Sequence, residues 1–264
     1  MPQLRKPRIG LALSGGAARG LAHIAVLKTL EEEGVPIHAI AGTSAGSVIG
    51  ALYCSGMPLS QIEHILVNAK WTDILKFTIP KLGFISSEGI YSFLEDILPI
   101  KKFSSLPLPL AVVATDLKTA EKVVITSGSI ARAVQASCSV PVLFTPTELN
   151  NKMLVDGGVS SQIPVRAVRV ELGARYVIAV NVNYKAMESD HYDNMINIAT
   201  HLSALWASKN AREEERLADI AINVNAKGIA IYDLAKAKEL LRRGRKATEE
   251  MLPHIRVLTD RWNY

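Results

Sequence analysis

Ser44 stands in the pentapeptide GTSAG, residues 42–46, directly after an apolar run and before a helical pattern. The pentapeptide fits G-x-S-x-G, in which small residues on either side of the serine relieve the crowding of a sharp turn and leave its hydroxyl exposed. A serine hydroxyl is a poor nucleophile until a base removes its proton, so the chain must also supply a base. The pattern predicts a serine nucleophile, and a serine between two small-residue turns is the alternative.

Histidine and aspartate are both candidates for that base. An α/β-hydrolase has serine, acid and histidine in chain order, so His191, His201 or His254 would then be the base. His191 lies in a polar stretch, His201 inside a helical pattern and His254 after a proline, so we interpret them as structural. Asp156 instead ends the apolar run of MLVDGGV and precedes two glycines. A plain Asp-Gly turn is the alternative interpretation of Asp156.

A glycine-rich loop, LSGGAARG at residues 13–20, directly follows the first predicted strand. Gly15 and Gly16 permit positive φ and a close backbone approach, so their amides can turn inward at the start of a helix and hold a phosphate or an oxyanion. The loop is not a Walker loop, because Leu21 follows Gly20 where a lysine is required, and it lacks the dinucleotide-binding spacing. A tight turn whose glycines serve packing is the alternative.

Short apolar runs alternate with helical patterns along the chain. Strands are expected at residues 8–13, 37–42, 108–115, 121–127, 151–158, 175–182 and 219–225, with helices after most of them. This order predicts an α/β fold whose mainly parallel sheet is covered on both faces. Ligands of such sheets bind beyond the carboxyl ends of the strands, where all three candidate groups fall. Residues 71–99 break the alternation, as either a cap over a pocket or a helical insertion. Ser60 and Glu63 have capping-box spacing and predict a helix start.

The composition indicates one large α/β domain, because 264 residues with 48% apolar content can bury a substantial core. No uncharged apolar run reaches the roughly 18 residues that a membrane-spanning helix needs. We expect no cleaved signal peptide, since the first apolar run is short. Cys54 and Cys138 are expected to be reduced, packed thiols of a cytoplasmic protein.

The net charge of +5 is modest, and its basic residues concentrate at residues 165–176 and 236–247. Solvated helix faces are the default interpretation of these two stretches. The alternative is a peripheral contact with an anionic membrane at its inner face, because clustered Lys and Arg attract such surfaces. Nucleic acid is not an expected partner, because zinc-finger, basic-zipper and RNA-binding patterns are absent.

Three motifs follow one another in the chain: SGGAARG at 14–20, GTSAG at 42–46 and DGG at 156–158. With them the chain resembles the bacterial patatin-like phospholipases, whose pattern is a glycine-rich loop ending in Arg-Gly, a G-x-S-x-G elbow and a later D-G-[GA]. The likeness continues through ATDL, ASCSVP and LADIAINV and covers about residues 8–245.

The resemblance implies a patatin-like three-layer α/β/α sandwich formed by a single domain over residues 1–264. It implies a catalytic dyad of Ser44 and Asp156 that uses neither histidine, metal nor organic cofactor. It further implies an oxyanion hole at the amides around Gly15, Gly16 and Ala17, with Arg19 adding positive charge or order to the loop. The motif glycines that would support these turns are Gly20, Gly42, Gly46, Gly157 and Gly158.

The expected activity is hydrolysis of carboxylic esters of phospholipids or lysophospholipids through an acyl-enzyme. A low-turnover lipid-binding or regulatory domain and an acyltransferase are alternatives on the same fold. Three departures from the family pattern affect the pocket: Ala17 and Val142 stand where glycine is common, and Gln162 where asparagine is common. Because alanine resists positive φ, we expect a narrower or differently angled oxyanion hole. The sequence decides neither head group, chain length nor oligomeric state.

Overall fold

A computed structural model describes residues 8–74, 76–77, 85–186 and 195–260. The strands are β1 Ile9–Leu13, β2 Ala39–Thr43, β3 Lys76–Phe77, β4 Ile85–Ser86, β5 Leu110–Asp116, β6 Lys122–Ile125, β7 Thr147–Leu149, β8 Lys152–Asp156, β9 Tyr176–Tyr184 and β10 Ile220–Asn225. The α-helices are α1 Ala22–Glu32, α2 Ala45–Cys54, α3 Leu59–Asn68, α4 Trp71–Ile74, α5 Glu88–Ile97, α6 Ile130–Ser137, α7 Met195–Glu215 and α8 Ala237–Asp260.

Five neighbouring strands form the parallel part of the main sheet, in the order β10, β9, β1, β2, β5. The strands β6 and β8 pair with β5 antiparallel, and β7 pairs with β8 antiparallel. The predicted α/β class with a mainly parallel sheet is confirmed.

The edges of β5 decide how the two halves of the sheet meet. β6 pairs with residues 112–115 of β5, β2 with residues 110–113 and β8 with residues 114–116. A strand has two hydrogen-bonding edges and β6 occupies one, so β2 and β8 share the other. Thr43 lies beside Val113, and Asp156 lies beside the next residue, Ala114. The carboxyl ends of β2 and β8 therefore point toward each other.

Two apolar layers cover the faces of the sheet, because successive strand residues point to opposite sides. One cluster joins Leu11 and Leu13 to apolar residues of α1, α2, α3, α5, α6 and α8. The other joins small residues such as Ala12 to residues 163–174 and to the end of α7 at Ala211. The result is the expected three-layer α/β/α arrangement.

Glycine ends two of the helices beside the site as predicted. After α1, Gly34 has φ 66° and the Val35 amide donates to the Leu30 carbonyl. After α2, Gly56 has φ 82° and the Met57 amide donates to the Leu52 carbonyl. These bonds are those of Schellman caps, which satisfy the last helical carbonyls.

The predicted capping box is wrong. α3 begins at Leu59, its N-cap is Pro58, and no side chain caps it. Glu63 instead forms a salt bridge with Lys28 on α1.

Residues 71–99 combine α4, the β3–β4 pair and α5, although residues 75 and 78–84 lie outside the described chain. In α5, Ile90 and Leu94 are buried in the main core, which favours an insertion there rather than a cap.

No helix in the described segments combines the length and apolar character needed to cross a bilayer.

Candidate active site

Ser44 occupies a strained turn between β2 and α2. It is the N-cap of α2, with φ 48° and ψ −122°, a conformation that costs a non-glycine residue on the order of 1–3 kcal/mol. Its amide donates to the Ser137 hydroxyl at 2.8 Å. The flanking glycines are required by space, because a Cβ on Gly46 would lie 2.3 Å from the Leu13 carbonyl oxygen and one on Gly42 would lie 2.5 Å from the Gly46 oxygen. The turn therefore has the predicted elbow form.

Asp156 ends β8 with its carboxyl buried beside Ser44. It is 7% exposed, and burial raises its pKa to about 6, while hydrogen bonds from the Gly158 amide and the Ser44 hydroxyl oppose the rise. The Gly158 amide lies 2.7 Å from Asp156 Oδ1. Gly157 must be glycine, because a Cβ there would lie 2.1 Å from the Val113 oxygen. A carboxyl with this pKa is ionised at neutral pH and can still accept a proton.

Gly16 and Ala17 follow Gly15 in the glycine-rich loop, and their amides are without a described acceptor. A Cβ on Gly15 would lie 3.2 Å from Ser44 Cβ, so the glycine-rich loop lies against the serine. Within the described segments, the amides of Gly16 and Ala17 donate to no protein acceptor. Ala17 adopts φ 44°, so it takes the glycine-type conformation in spite of its Cβ. The two amides can therefore bind a developing oxyanion.

The Gly15 amide does not join them, which corrects the expected three-amide hole. It donates to the Gln162 carbonyl at 3.2 Å. The Gly15 carbonyl accepts two hydrogen bonds, from Asn183 Nδ2 at 2.8 Å and from Gln162 Nε2 at 3.3 Å. Because a trans peptide directs its C=O and the next N–H to opposite sides, these two side chains set the direction of the Gly16 amide. Asn183 carried no recognisable signal in the sequence.

Arg19 is buried, and its guanidinium joins the glycine-rich loop to two distant segments of the chain. It is 8% exposed, and its Nε and an Nη donate to the Ile229 carbonyl at 3.0 and 2.7 Å. Its other Nη donates to Asn183 Oδ1 at 3.1 Å. Burial lowers the pKa of its guanidinium. Of the two expected effects, the contacts favour order in the loop. Gly20 permits close packing, since a Cβ there would lie 2.5 Å from Ala45 Cβ.

Residues 226–234, which we call the strap, accept hydrogen bonds from the glycine-rich loop. The Ala18 amide donates to the Ile231 carbonyl of the strap at 2.9 Å, which adds to the Arg19 bonds. Tyr232 is 45% exposed, and burial together with the nearby Asp156 charge raises its pKa to about 12. Sequence reasoning missed Tyr232 because it lies far from Asp156 in the sequence, after two further strands and α7.

Trp71 joins the strap to the inserted segment. Its indole Nε1 donates to the Tyr232 carbonyl at 3.0 Å, and the two rings meet edge to face with centroids 5.8 Å apart. The first turn of residues 71–99 thus contacts the strap, while α5 packs in the main core. Trp71 and Tyr232 thus form an aromatic pair at the strap, and the Asp156 charge is close enough to act on Tyr232.

Cys138 lies beside the same two residues. Its thiol is within hydrogen-bond reach of Ser44 and Ser47, and burial, with the Asp156 charge, raises its pKa to about 12. The thiol therefore stays protonated and is a poor rival nucleophile. It and Cys54 are free cysteines, as expected.

No imidazole takes part in the described contacts of Ser44 and Asp156. His201 lies on α7 and His254 on α8, while His191 falls outside the described residues. His23 is buried with Nε2 2.9 Å from the Ser14 oxygen, and burial lowers its pKa to about 4. Among the described residues, no group of three or more His, Cys, Asp or Glu side chains could hold a metal ion.

The family model described as "Patatin-like phospholipase" matches residues 11–169, which include both Ser44 and Asp156. The chain belongs to the patatin-like phospholipase family. Val142, where the family commonly has glycine, has φ 72°, so this position also keeps a glycine-type backbone.

Similar proteins occur in bacteria and eukaryotes. An uncharacterized NTE family protein of Mycobacterium tuberculosis is 30% identical over 81% of this chain and 59% of its own length. Patatin-like phospholipase domain-containing protein 7 of Rattus norvegicus is 33% identical over 75% of this chain and 15% of its own. Lysophospholipase NTE1 of Yarrowia lipolytica is 32% identical over 76% and 14%. The chain thus spans about three fifths of the mycobacterial relative and about one seventh of the other two.

The solved structure of VipD from Legionella pneumophila superposes with a TM-score of 0.65. The match covers 94% of this chain and 67% of VipD at 16% identity. It supports the patatin-type fold, and at this identity it carries no argument about substrate.

Proposed function

We propose that the chain is a serine acyl hydrolase that cleaves carboxylic esters of phospholipids or lysophospholipids through a Ser44–Asp156 dyad. The carrying observation is that Ser44, half-buried on a strained backbone turn, donates a hydrogen bond to the buried carboxyl of Asp156, whose pKa is about 6. Two free amides beside the serine complete what an acyl transfer needs.

Each residue of the site has one task in the proposed reaction. Asp156 takes the proton of Ser44 as Oγ attacks the ester carbonyl, and the amides of Gly16 and Ala17 hold the oxyanion. The intermediate collapses, the ester C–O bond breaks, and Asp156 gives its proton to the leaving alcohol. In the second half, Asp156 takes a proton from water as the oxygen of that water attacks the acyl-enzyme carbonyl. The bond between the acyl carbon and Ser44 Oγ then breaks, the fatty acid leaves, and Asp156 returns its proton to Ser44. Removing one oxyanion donor in such sites typically costs about 2.7–4 kcal/mol.

The substrate class is inferred from the family and from the entrance. One relative is named a lysophospholipase, and others carry the patatin-like phospholipase name. The aromatic pair Trp71 and Tyr232 gives an acyl chain an apolar wall next to the dyad. These features favour a lipid ester over a polar ester.

The binding-domain alternative receives no support from Ala17. Its backbone takes φ 44°, so it adopts the left-handed conformation that a glycine would adopt there, and this supports a working oxyanion hole.

The test is ester hydrolysis on a chain-length series of monomeric esters, on phospholipid and on lysophospholipid. We expect Ser44→Ala and Asp156→Asn to lower kcat by at least about 10³-fold, as removal of a nucleophile or its base does in other serine hydrolases. Ser104→Ala and Asp96→Asn, at exposed positions, are matched controls that should keep activity. His201→Ala and His254→Ala should also stay active.

Undetectable wild-type hydrolysis of every substrate, or activity that survives Ser44→Ala, would contradict the proposal. Product analysis with added alcohol or lysolipid separates hydrolysis from acyl transfer, because a transferase yields a new ester instead of free fatty acid.

A further inference from the structure

The first turns of α7 carry an apolar stripe that the described residues leave about half exposed or more. Its members recur three or four residues apart and so share one face of the helix. They are Met195, Ile198, Leu202, Leu205 and Trp206, and they are 86%, 44%, 60%, 42% and 55% exposed. We call this set the α7 stripe. Most large apolar residues that the structure describes are buried or half-buried, so such a concentration of exposed ones on one helix indicates a docking surface.

The end of α7 is anchored beside the active site. Asn210 Nδ2 donates to the carbonyl of Val159 at 2.8 Å, in the turn that follows Asp156. Glu214 accepts from the Ser161 hydroxyl at 2.8 Å, and Ala211 is buried. The described packing of α7 thus lies in its last two turns, and the stripe ends one turn before this anchor. Whatever covers the stripe is brought next to the loop that carries Asp156.

Exposed cations continue the stripe. Lys209, Arg212 and Arg216 are exposed and form no salt bridge within the described segments. The Lys209 ammonium lies 5.4 Å from the centre of the Trp206 ring. Glu213 lies between them and offsets one of the three charges.

The basic stretch at residues 236–247 is less available. Arg242 and Arg243 pair with Glu239, and Arg245 pairs with Glu32. Its charges are therefore largely compensated, in agreement with the default interpretation of a solvated helix face. The cations at the end of α7 form the stronger candidate for an anionic partner.

We propose that the α7 stripe, with Lys209, Arg212 and Arg216, docks the protein on an anionic lipid surface. The purpose of this docking rests on the proposed function, since a lipid hydrolase must reach substrate held in a bilayer. Tryptophan and leucine on one face with Lys and Arg at its border are typical of helices that lie in the membrane interface. The apolar side chains enter the headgroup region, and the cations meet lipid phosphates.

A second copy of the chain fits the stripe less well. The stripe extends over 12 residues, which is about 17 Å of helix and fewer than two heptads. Helix pairing needs roughly three or four heptads to hold by itself. Five half-exposed side chains offer on the order of 500 Å², below the ~800 Å² that each partner contributes to a standard interface.

The test measures co-sedimentation with vesicles of phosphatidylcholine, alone or mixed with phosphatidylglycerol. All variants are made in the Ser44→Ala background, so the readout does not depend on hydrolysis. We expect Leu202→Gln with Trp206→Gln to weaken binding to the mixed vesicles at least tenfold. Val170→Gln with Val257→Gln is the matched control, because these residues are 72% and 53% exposed elsewhere on the surface. Circular dichroism checks that each variant is folded.

A second set of variants tests the cations and replaces Lys209, Arg212 and Arg216 by Gln. Each neutralised cation is expected to weaken binding to the mixed vesicles about fivefold at low salt, the equivalent of about 1 kcal/mol. Phosphatidylcholine binding should change much less.

Three results would overturn the proposal: no binding to either vesicle, equal losses in the Val170/Val257 control, or a wild-type dimer that the stripe substitutions dissociate. An inactive wild type that still binds vesicles would refute the proposed function and leave the docking surface standing.

Discussion

Asp156→Asn is expected to stabilise the fold at neutral pH while it removes the proposed base. Burial raises the pKa of Asp156 from an ordinary 3.8 to about 6. Between these values the folded protein binds more protons than the unfolded chain, so the stability that this group contributes falls as pH rises through that window. At 1.36 kcal/mol per pH unit, the full penalty above pH 6 is about 3 kcal/mol.

Asparagine avoids this penalty without losing the local contacts. It has the same shape, its Oδ1 can accept from the Gly158 amide, and its NH₂ can donate to the Ser44 hydroxyl. The free energy of unfolding of Asp156→Asn should thus match wild type near pH 4 and exceed it by up to about 3 kcal/mol at pH 7.

Urea denaturation followed by circular dichroism at several pH values between 4 and 7 measures the difference. Asp96→Asn, at an exposed position on α5, is the control and should show no comparable trend. A difference between Asp156→Asn and wild type that does not change with pH would refute the reasoning, as would a variant less stable than wild type at pH 7.

Three further outcomes follow from the site. The kcat/KM of ester hydrolysis should rise about tenfold per pH unit below pH 6 and level off above it, because Asp156 must be ionised to act as base; a profile flat from pH 5 to 8 would contradict this. Asn183→Ala should lower kcat about tenfold on a monomeric ester with little change in KM. The substitution removes a hydrogen bond to the Gly15 carbonyl, so the direction of the Gly16 amide is no longer fixed. An effect on KM alone would assign Asn183 to substrate binding instead. Ala17→Gly should raise the free energy of unfolding by about 1 kcal/mol, because glycine adopts φ 44° without a Cβ penalty, and thermal unfolding that stays at or below wild type would argue against strain there.

Local sequence patterns determined the parts of this protein whose chemistry is short-range. The space at Gly42 and Gly46, on either side of Ser44, does not admit a Cβ, so the elbow can be predicted from five residues. The Asp-Gly-Gly turn after Asp156 is readable for the same reason, and alternating apolar runs and helical patterns were enough for the α/β class. The Ser60–Glu63 capping box failed because the spacing exists in sequence while Glu63 finds a stronger partner in Lys28.

Tertiary structure decided which of these parts meet. Ser44 and Asp156 meet because β2 and β8 share one edge of β5, and strand pairing between distant segments is not encoded in either segment alone. Two other contacts also join segments that are distant in sequence. Asn183 donates to the Gly15 carbonyl across 168 residues, and Arg19 donates to a carbonyl of the strap. The same dependence on tertiary structure holds for α7, since whether an apolar helix face is covered depends on what the rest of the chain packs against it, and here the described chain leaves the α7 stripe open to a partner.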